Sequence, residues 1–174
     1  MTVRQETTRG SVLIEFCFAG IVLIFAWISI AEMALCMWNY HTLQYAAKMA
    51  GTYASVHGAT CTISPNTCTV AISDIATVFQ NAAIGVPASQ VVLTFTTNSG
   101  AVTTCNLSGT SNLCSSQSSV WPPSSNNDNQ VGKNVSIRAD YTFPSALAMF
   151  VPGRGSVSSG AVSLTGDTTQ IIQY

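Results

Sequence analysis

The chain has 174 residues, of which 47% are hydrophobic and only 7% charged, with a net charge of −1. An ordinary soluble domain carries roughly 25% charged residues, so this balance excludes a nucleic-acid surface built on clustered Lys and Arg. The length leaves room for one anchor and one domain of roughly 100 residues or more.

Residues 1–10, MTVRQETTRG, are polar, with Arg4 and Arg9 set against Glu6. Residues 11–38, SVLIEFCFAGIVLIFAWISIAEMALCMW, are nearly all apolar and carry only two charges, Glu15 and Glu32. A helix rises about 1.5 Å per residue, and roughly 20 residues cross a bilayer core of about 30 Å. The uncharged run 16–31 is a little short alone and becomes long enough when Glu15 and Glu32 sit at or near the two interfaces, or when Glu15 has a partner in the membrane. One transmembrane helix is therefore expected over 11–38. Positive charge ahead of a membrane helix keeps that end in the cytoplasm, so 1–10 read as a cytoplasmic leader and the bulk of the chain as lying outside. A secretory signal peptide is the rival reading. Its apolar core usually spans about 7–15 residues and ends at a small-residue cleavage site, whereas this one is longer and runs on into helical sequence.

Residues 39–57 place Leu43, Ala46, Ala47, Ala50 and Tyr53 at helical spacing. Alanine is the best helix former, so this stretch is expected to continue the anchor into a spine of about 70 Å, with Gly58 as its stop. Residues 58–174 read as an outer domain. Within it, 73–83 has Ile75, Val78, Phe79 and Ala82 on one helical face, with Ser73 as the cap and Gly85-Val86-Pro87 as the end. Strands are expected at 90–97, 101–105, 134–143 and 156–165. In the third, Val135, Ile137, Ala139, Tyr141 and Phe143 alternate with polar residues, the mark of a half-buried strand. Residues 115–130, rich in Ser, Asn and Pro, read as an exposed loop, 145–150 as a short helix and 168–174 as a closing edge strand. The fold class is α+β, with a long N-terminal transmembrane helix packed as a spine on a small, mainly antiparallel β-sheet.

The membrane-proximal pattern is Arg9-Gly10-Ser11-Val12-Leu13-Ile14-Glu15-Phe16. It resembles the class III signal of type IV pilins, especially the Flp/Tad branch, in which a membrane aspartyl peptidase cuts after the glycine and leaves the apolar helix on the mature protein. The resemblance implies a cut between Gly10 and Ser11. It also implies an assembly role for Glu15 and Phe16, with the glutamate of one subunit meeting the new amine of its neighbour. An ionised carboxylate near an apolar interior is costly unless paired, and a new α-amine with a pKa of about 7.7–8.0 is largely cationic near neutral pH. The spine is also similar to the TadE family of pilus-assembly proteins. The matching pieces are Arg9-Gly10, Glu15-Phe16, Glu32, Trp38-Asn39-Tyr40 and the alanine-rich stretch at 43–54, with a fainter echo at 135–143. TadE-like chains often read Glu-Phe-Gly-Arg after the apolar run, where this chain has Glu32-Met33-Ala34-Leu35, and many have Arg where it has Lys48. The resemblance implies a minor pilin or pseudopilin in the bacterial inner membrane, with Glu32 a further assembly candidate. The implied partners are other pilin-like subunits, inner-membrane pilus-assembly proteins, the prepilin peptidase and the bilayer, with no nucleic acid, small-molecule substrate or cofactor.

Six cysteines divide by location. Cys17 and Cys36 lie in the anchor, where a thiol packs as a small apolar group. Cys61, Cys68, Cys105 and Cys114 lie in the outer domain, where an oxidising compartment favours disulfides. Of the three possible connectivities, local pairing as Cys61–Cys68 and Cys105–Cys114 is expected. Zinc would call for closer pairs such as C-x2-4-C, so no metal is expected. His41 and His57 are too far apart on the spine to share a metal, and Asp74, Asp128, Asp140 and Asp167 are scattered, most reading as solvated. His41 reads as an interface residue beside Trp38 and Tyr40. Hydrolase, zincin, P-loop and dinucleotide motifs are absent from the sequence, and no enzyme is expected. The alternative to a pilin-like subunit is an uncleaved membrane-anchored adhesin or binding module.

Overall fold

Helix α1 runs without interruption from Thr7 to Ser55. The computed structural model that defines it describes residues 7–59, 70–145 and 161–173, with side chains from residue 12 onward. At about 1.5 Å per residue, the 49 residues of α1 reach about 73 Å. Every internal N–H and C=O is used along the axis, the form that backbone must take in a lipid interior. Ser29 turns its hydroxyl back onto the Phe25 carbonyl at 2.8 Å, which hides its one polar side-chain atom on the apolar stretch. The helix ends where its last carbonyls find other donors. His57 donates through Nδ1 to Tyr53 O at 2.6 Å, His57 N donates to Ala54 O at 3.3 Å and Gln173 N donates to Ser55 O at 2.9 Å. The stop thus falls at Ser55, three residues before Gly58.

Helix α2 spans Ile72–Ala82 and buries Ile72, Ile75, Ala76 and Phe79. Its first turn is not capped by Ser73. The N–H of Ile72 reaches Ser119 O at 3.2 Å, that of Ser73 reaches Gln117 O at 3.2 Å, and the Asp74 carboxylate accepts from Ala71 N at 3.0 Å. Tertiary backbone has replaced the expected side-chain cap.

Four antiparallel strands follow: β1 (Val91–Thr96), β2 (Val102–Asn106), β3 (Asn134–Pro144) and β4 (Ala161–Ile171), in the order β2-β1-β3-β4. The alternation read in β3 is realised, with Val135, Ile137, Ala139, Tyr141 and Phe143 turned to the core. That face meets the C-terminal half of α1, where Leu43, Ala46, Ala47, Ala50 and Ala54 are buried. The small alanines bring the helix close to the sheet. At Gly166 of β4 backbone meets backbone: a Cβ there would lie 2.9 Å from the carbonyl carbon and oxygen of Leu43.

Two expectations are corrected. Residues 168–171 are not a separate edge strand but the end of β4, which passes straight through Gly166-Asp167. The 115–130 loop is not simply exposed, because Trp121 and Asp128 within it are 3% and 1% accessible. Trp121 packs edge-on against Phe95 with ring centres 5.3 Å apart, and its backbone N–H donates to Val70 O at 2.9 Å. The expected 145–150 helix falls almost wholly outside the described residues, as does the pair Cys61 and Cys68.

Candidate membrane and assembly surface

α1 is two surfaces joined end to end. From Val12 to Ala31 almost every residue is exposed, including Phe16 at 77% and Trp27 at 68%. Nothing in the described chain covers this length. Among the described residues it is the single helix long and apolar enough to cross a membrane. An exposed apolar surface this large is not stable in water, and the long apolar helix is compatible with a single-pass membrane anchor.

The change from bare to covered helix occurs over about two turns, from Glu32 to Asn39. Glu32 is half-buried and accepts a hydrogen bond from Ser145 Oγ at 2.7 Å, so the end of β3 is tied to the helix where the uncovered length stops. Cys36 packs against the core and Asn39 is 8% accessible. Gln44 then donates to Thr165 O at 3.2 Å, fastening α1 to β4. Around the rest of the helix Trp38, Tyr40, His41 and Tyr45 stay exposed. Tyr40 and His41 stand edge to face at 5.7 Å, a small aromatic collar more than two turns beyond Glu32.

The residues singled out by sequence occupy distinct parts of this surface. Gly10 and Ser11 lie on helical backbone in the first turns of α1. A peptidase that grips an extended chain must unwind that turn, and glycine lowers the cost by up to about 1 kcal/mol relative to alanine. Glu15 and Phe16 are exposed on the uncovered length. The 17 residues from Glu15 to Glu32 span about 25 Å, close to the thickness of a hydrocarbon core. Glu32 does more than mark an edge: its contact with Ser145 makes it a strut between anchor and domain. Ser145 was not a candidate, because a lone serine at a strand end carries no signal of its own.

Within the domain, Asp128 and the Arg138–Asp140 pair lie in small bonded groups, and one disulfide is formed. Cys105 and Cys114 are joined at an S–S distance of 2.03 Å, fastening the end of β2 to the following loop. Cys17 and Cys36 are free thiols. Asp128, read as solvated, is buried and holds the β1–β2 turn. It accepts from Ser99 N at 3.0 Å and from the Ser99 hydroxyl, while Thr97 Oγ1 and Ser99 Oγ lie 3.0 Å apart. The Ser99 hydroxyl bond above all, with Thr97 and the Lys133 charge adding, holds its pKa below the usual aspartate range against the opposing effect of burial. On the open face of the sheet, Arg138 pairs with Asp140 at 2.9 Å, and Thr165 donates to the same carboxylate at 2.7 Å. Burial is the largest influence on Asp140 and works to raise its pKa, but the bonds from Arg138 and Thr165 and the Arg138 charge together leave it lowered. Arg138 is more than half exposed, so solvent and salt screen the pair and it adds little to stability. Among the described residues no three His, Cys, Asp or Glu side chains gather where a metal ion could be held. No protein-family model, no curated protein and no solved structure matches this chain.

Proposed function

We propose that the chain is a minor pilin-like structural subunit of a Tad-type pilus, similar in plan to TadE proteins and matured by a prepilin peptidase between Gly10 and Ser11. The observation that carries the reading is the division of one continuous helix into an uncovered apolar half and a half docked on an antiparallel sheet. A subunit that must first reside in a bilayer and then pack against neighbours needs both halves on one rod. In this reading residues 1–10 face the cytoplasm and the α+β domain lies outside the inner membrane of a bacterium. Its partners are other pilin-like subunits and the assembly proteins beside them.

Glu15 is the assembly residue of the proposal. Ser11 and Glu15 are one turn apart, about 6 Å along the axis, so removal of the leader would put a cation close to a carboxylate in a lipid setting. Within a cluster of subunits the amine of one chain meets the carboxylate of the next. Replacing Glu15 by Gln removes the charge and keeps the size. Membrane insertion and processing are expected to continue, since a neutral side chain is easier to place in lipid and Gly10 is unchanged. Co-purification with the other pilus components is expected to fall, because an unpaired ammonium in a low-dielectric site is strongly disfavoured. Co-purification at the parent level would remove the assembly role from Glu15.

A further inference from the structure

Among the described residues, two exposed apolar side chains of the domain lie on its side nearest the uncovered length of α1. The turn after α2 carries Ile84, whose exposure of 73% is among the highest of any large apolar side chain outside α1. The next residue, Gly85, turns at φ +86, and its Cβ position lies 3.6 Å from Trp38 Nε1. Side chains on a helix lean toward its N-terminus, so Trp38 leans toward the uncovered end and the turn that carries Ile84 stands beside it. At the foot of the sheet the register pairs Phe143 with Val162, which is 45% exposed, next to the strand end where Ser145 bonds Glu32. From 75 to 127 the sequence carries no charged residue at all, so the α2–β1 turn brings no ion to this surface.

The height of this surface along the helix is fixed by the contacts. If the hydrocarbon core runs from Glu15 to Glu32, Trp38 lies about 9 Å beyond it, within the headgroup layer. Ile84 and Val162 are then at headgroup level as well. We propose that the underside of the domain is a second, peripheral membrane contact, in which Ile84 and Val162 enter the interfacial layer of the same bilayer that α1 spans. The occupant is lipid because these side chains adjoin the exposed apolar surface of α1, and among the described residues the charge that stands between them is Glu32, half-buried and bonded to Ser145. The domain is thereby held upright on the membrane instead of swinging on its helix, which presents the same helix face to each incoming neighbour. This inference rests on α1 spanning a bilayer.

The test uses the full chain in phosphatidylcholine–phosphatidylglycerol vesicles with Cys17 and Cys36 replaced by serine. An environment-sensitive fluorophore is placed in turn at Ile84→Cys, at Leu23→Cys within the anchor, and at Val131→Cys near the opposite end of the domain, and the same protein without the added cysteine sets the background. Nitroxide lipids labelled at a shallow or a deep position serve as quenchers. The expected result is deep quenching at Leu23, shallow quenching at Ile84 several-fold stronger than at Val131, and a blue-shifted emission at Ile84. Deep quenching at Leu23 with Ile84 quenched no more than Val131 overturns the peripheral contact while leaving the anchor standing. A blue shift at Ile84 that grows with the protein-to-lipid ratio and resists the shallow quencher also overturns it, since a second copy of the chain then covers the patch. Absence of quenching at Leu23 overturns both.

Discussion

Gly166 sits where two backbones nearly touch. Its Cβ position is 2.9 Å from the main chain of Leu43, and main chain cannot swing aside as a side chain can. Gly166→Ala should force α1 away from β4 and cost about 1–3 kcal/mol, as overpacking of a fitted core does. Gly20→Ala makes the useful contrast. Nothing lies within 4 Å of that Cβ, so the change should be neutral or slightly stabilising through helix propensity. Denaturant midpoints of both variants in detergent check the pair. Asp128 supplies a pH-dependent counterpart. Its folded pKa is below its unfolded value, so it contributes stability that is fully present above the unfolded pKa of about 3.9 and is lost as pH falls through the folded one. Asp128→Asn should therefore lower stability near neutral pH and flatten the acid limb of the stability profile. A profile with the parent's slope on that limb would show that Asp128 does not act by its charge.

At the scale of elements, the parts with a repeating pattern were legible and the parts held by single contacts were not. The five alternating core residues of β3 named that strand, and the spacing of Leu43, Ala46, Ala47 and Ala50 named the docked face of α1. β4 was read as two pieces because Gly166-Asp167 has the composition of a turn. The glycine is there for the close passage of α1, a tertiary cause that no local pattern carries. Trp121 was hidden in a loop of Ser, Asn and Pro for the same reason: one aromatic has no period. The cap of α2 was misassigned to Ser73 because the donors are met by the distant carbonyls of Gln117 and Ser119. The Cys105–Cys114 bond closes a short interval of 9 residues, so its contribution should be at most about 2–3 kcal/mol. Non-reducing peptide mapping should find these two cysteines joined, and replacing both by alanine should lower the midpoint without abolishing the fold. A free thiol at both positions would contradict the bond and the oxidising side to which it is assigned.

The molecule as a whole is a rod with a domain on one half of it. The length of the rod, its two glutamates and its alanine-lined half could be read from sequence. The strut from Glu32 to Ser145, which fixes where the bare half begins, could not, because the two residues are 113 positions apart. Together these features support a subunit that rests in a bilayer through one half of α1, carries its domain just outside, and offers Glu15 to a neighbour after the leader is removed. Removal of the leader is the step on which that reading depends most. Its test is the intact mass of the protein purified from cells with and without the prepilin peptidase, alongside a Gly10→Ala chain from peptidase-bearing cells. The expected result is a chain beginning at Ser11 from the peptidase-bearing cells, and the full precursor both from cells without the peptidase and from the Gly10→Ala chain. A chain beginning at Met1 in every sample, or one cut beyond the apolar stretch, would contradict a pilin-like subunit.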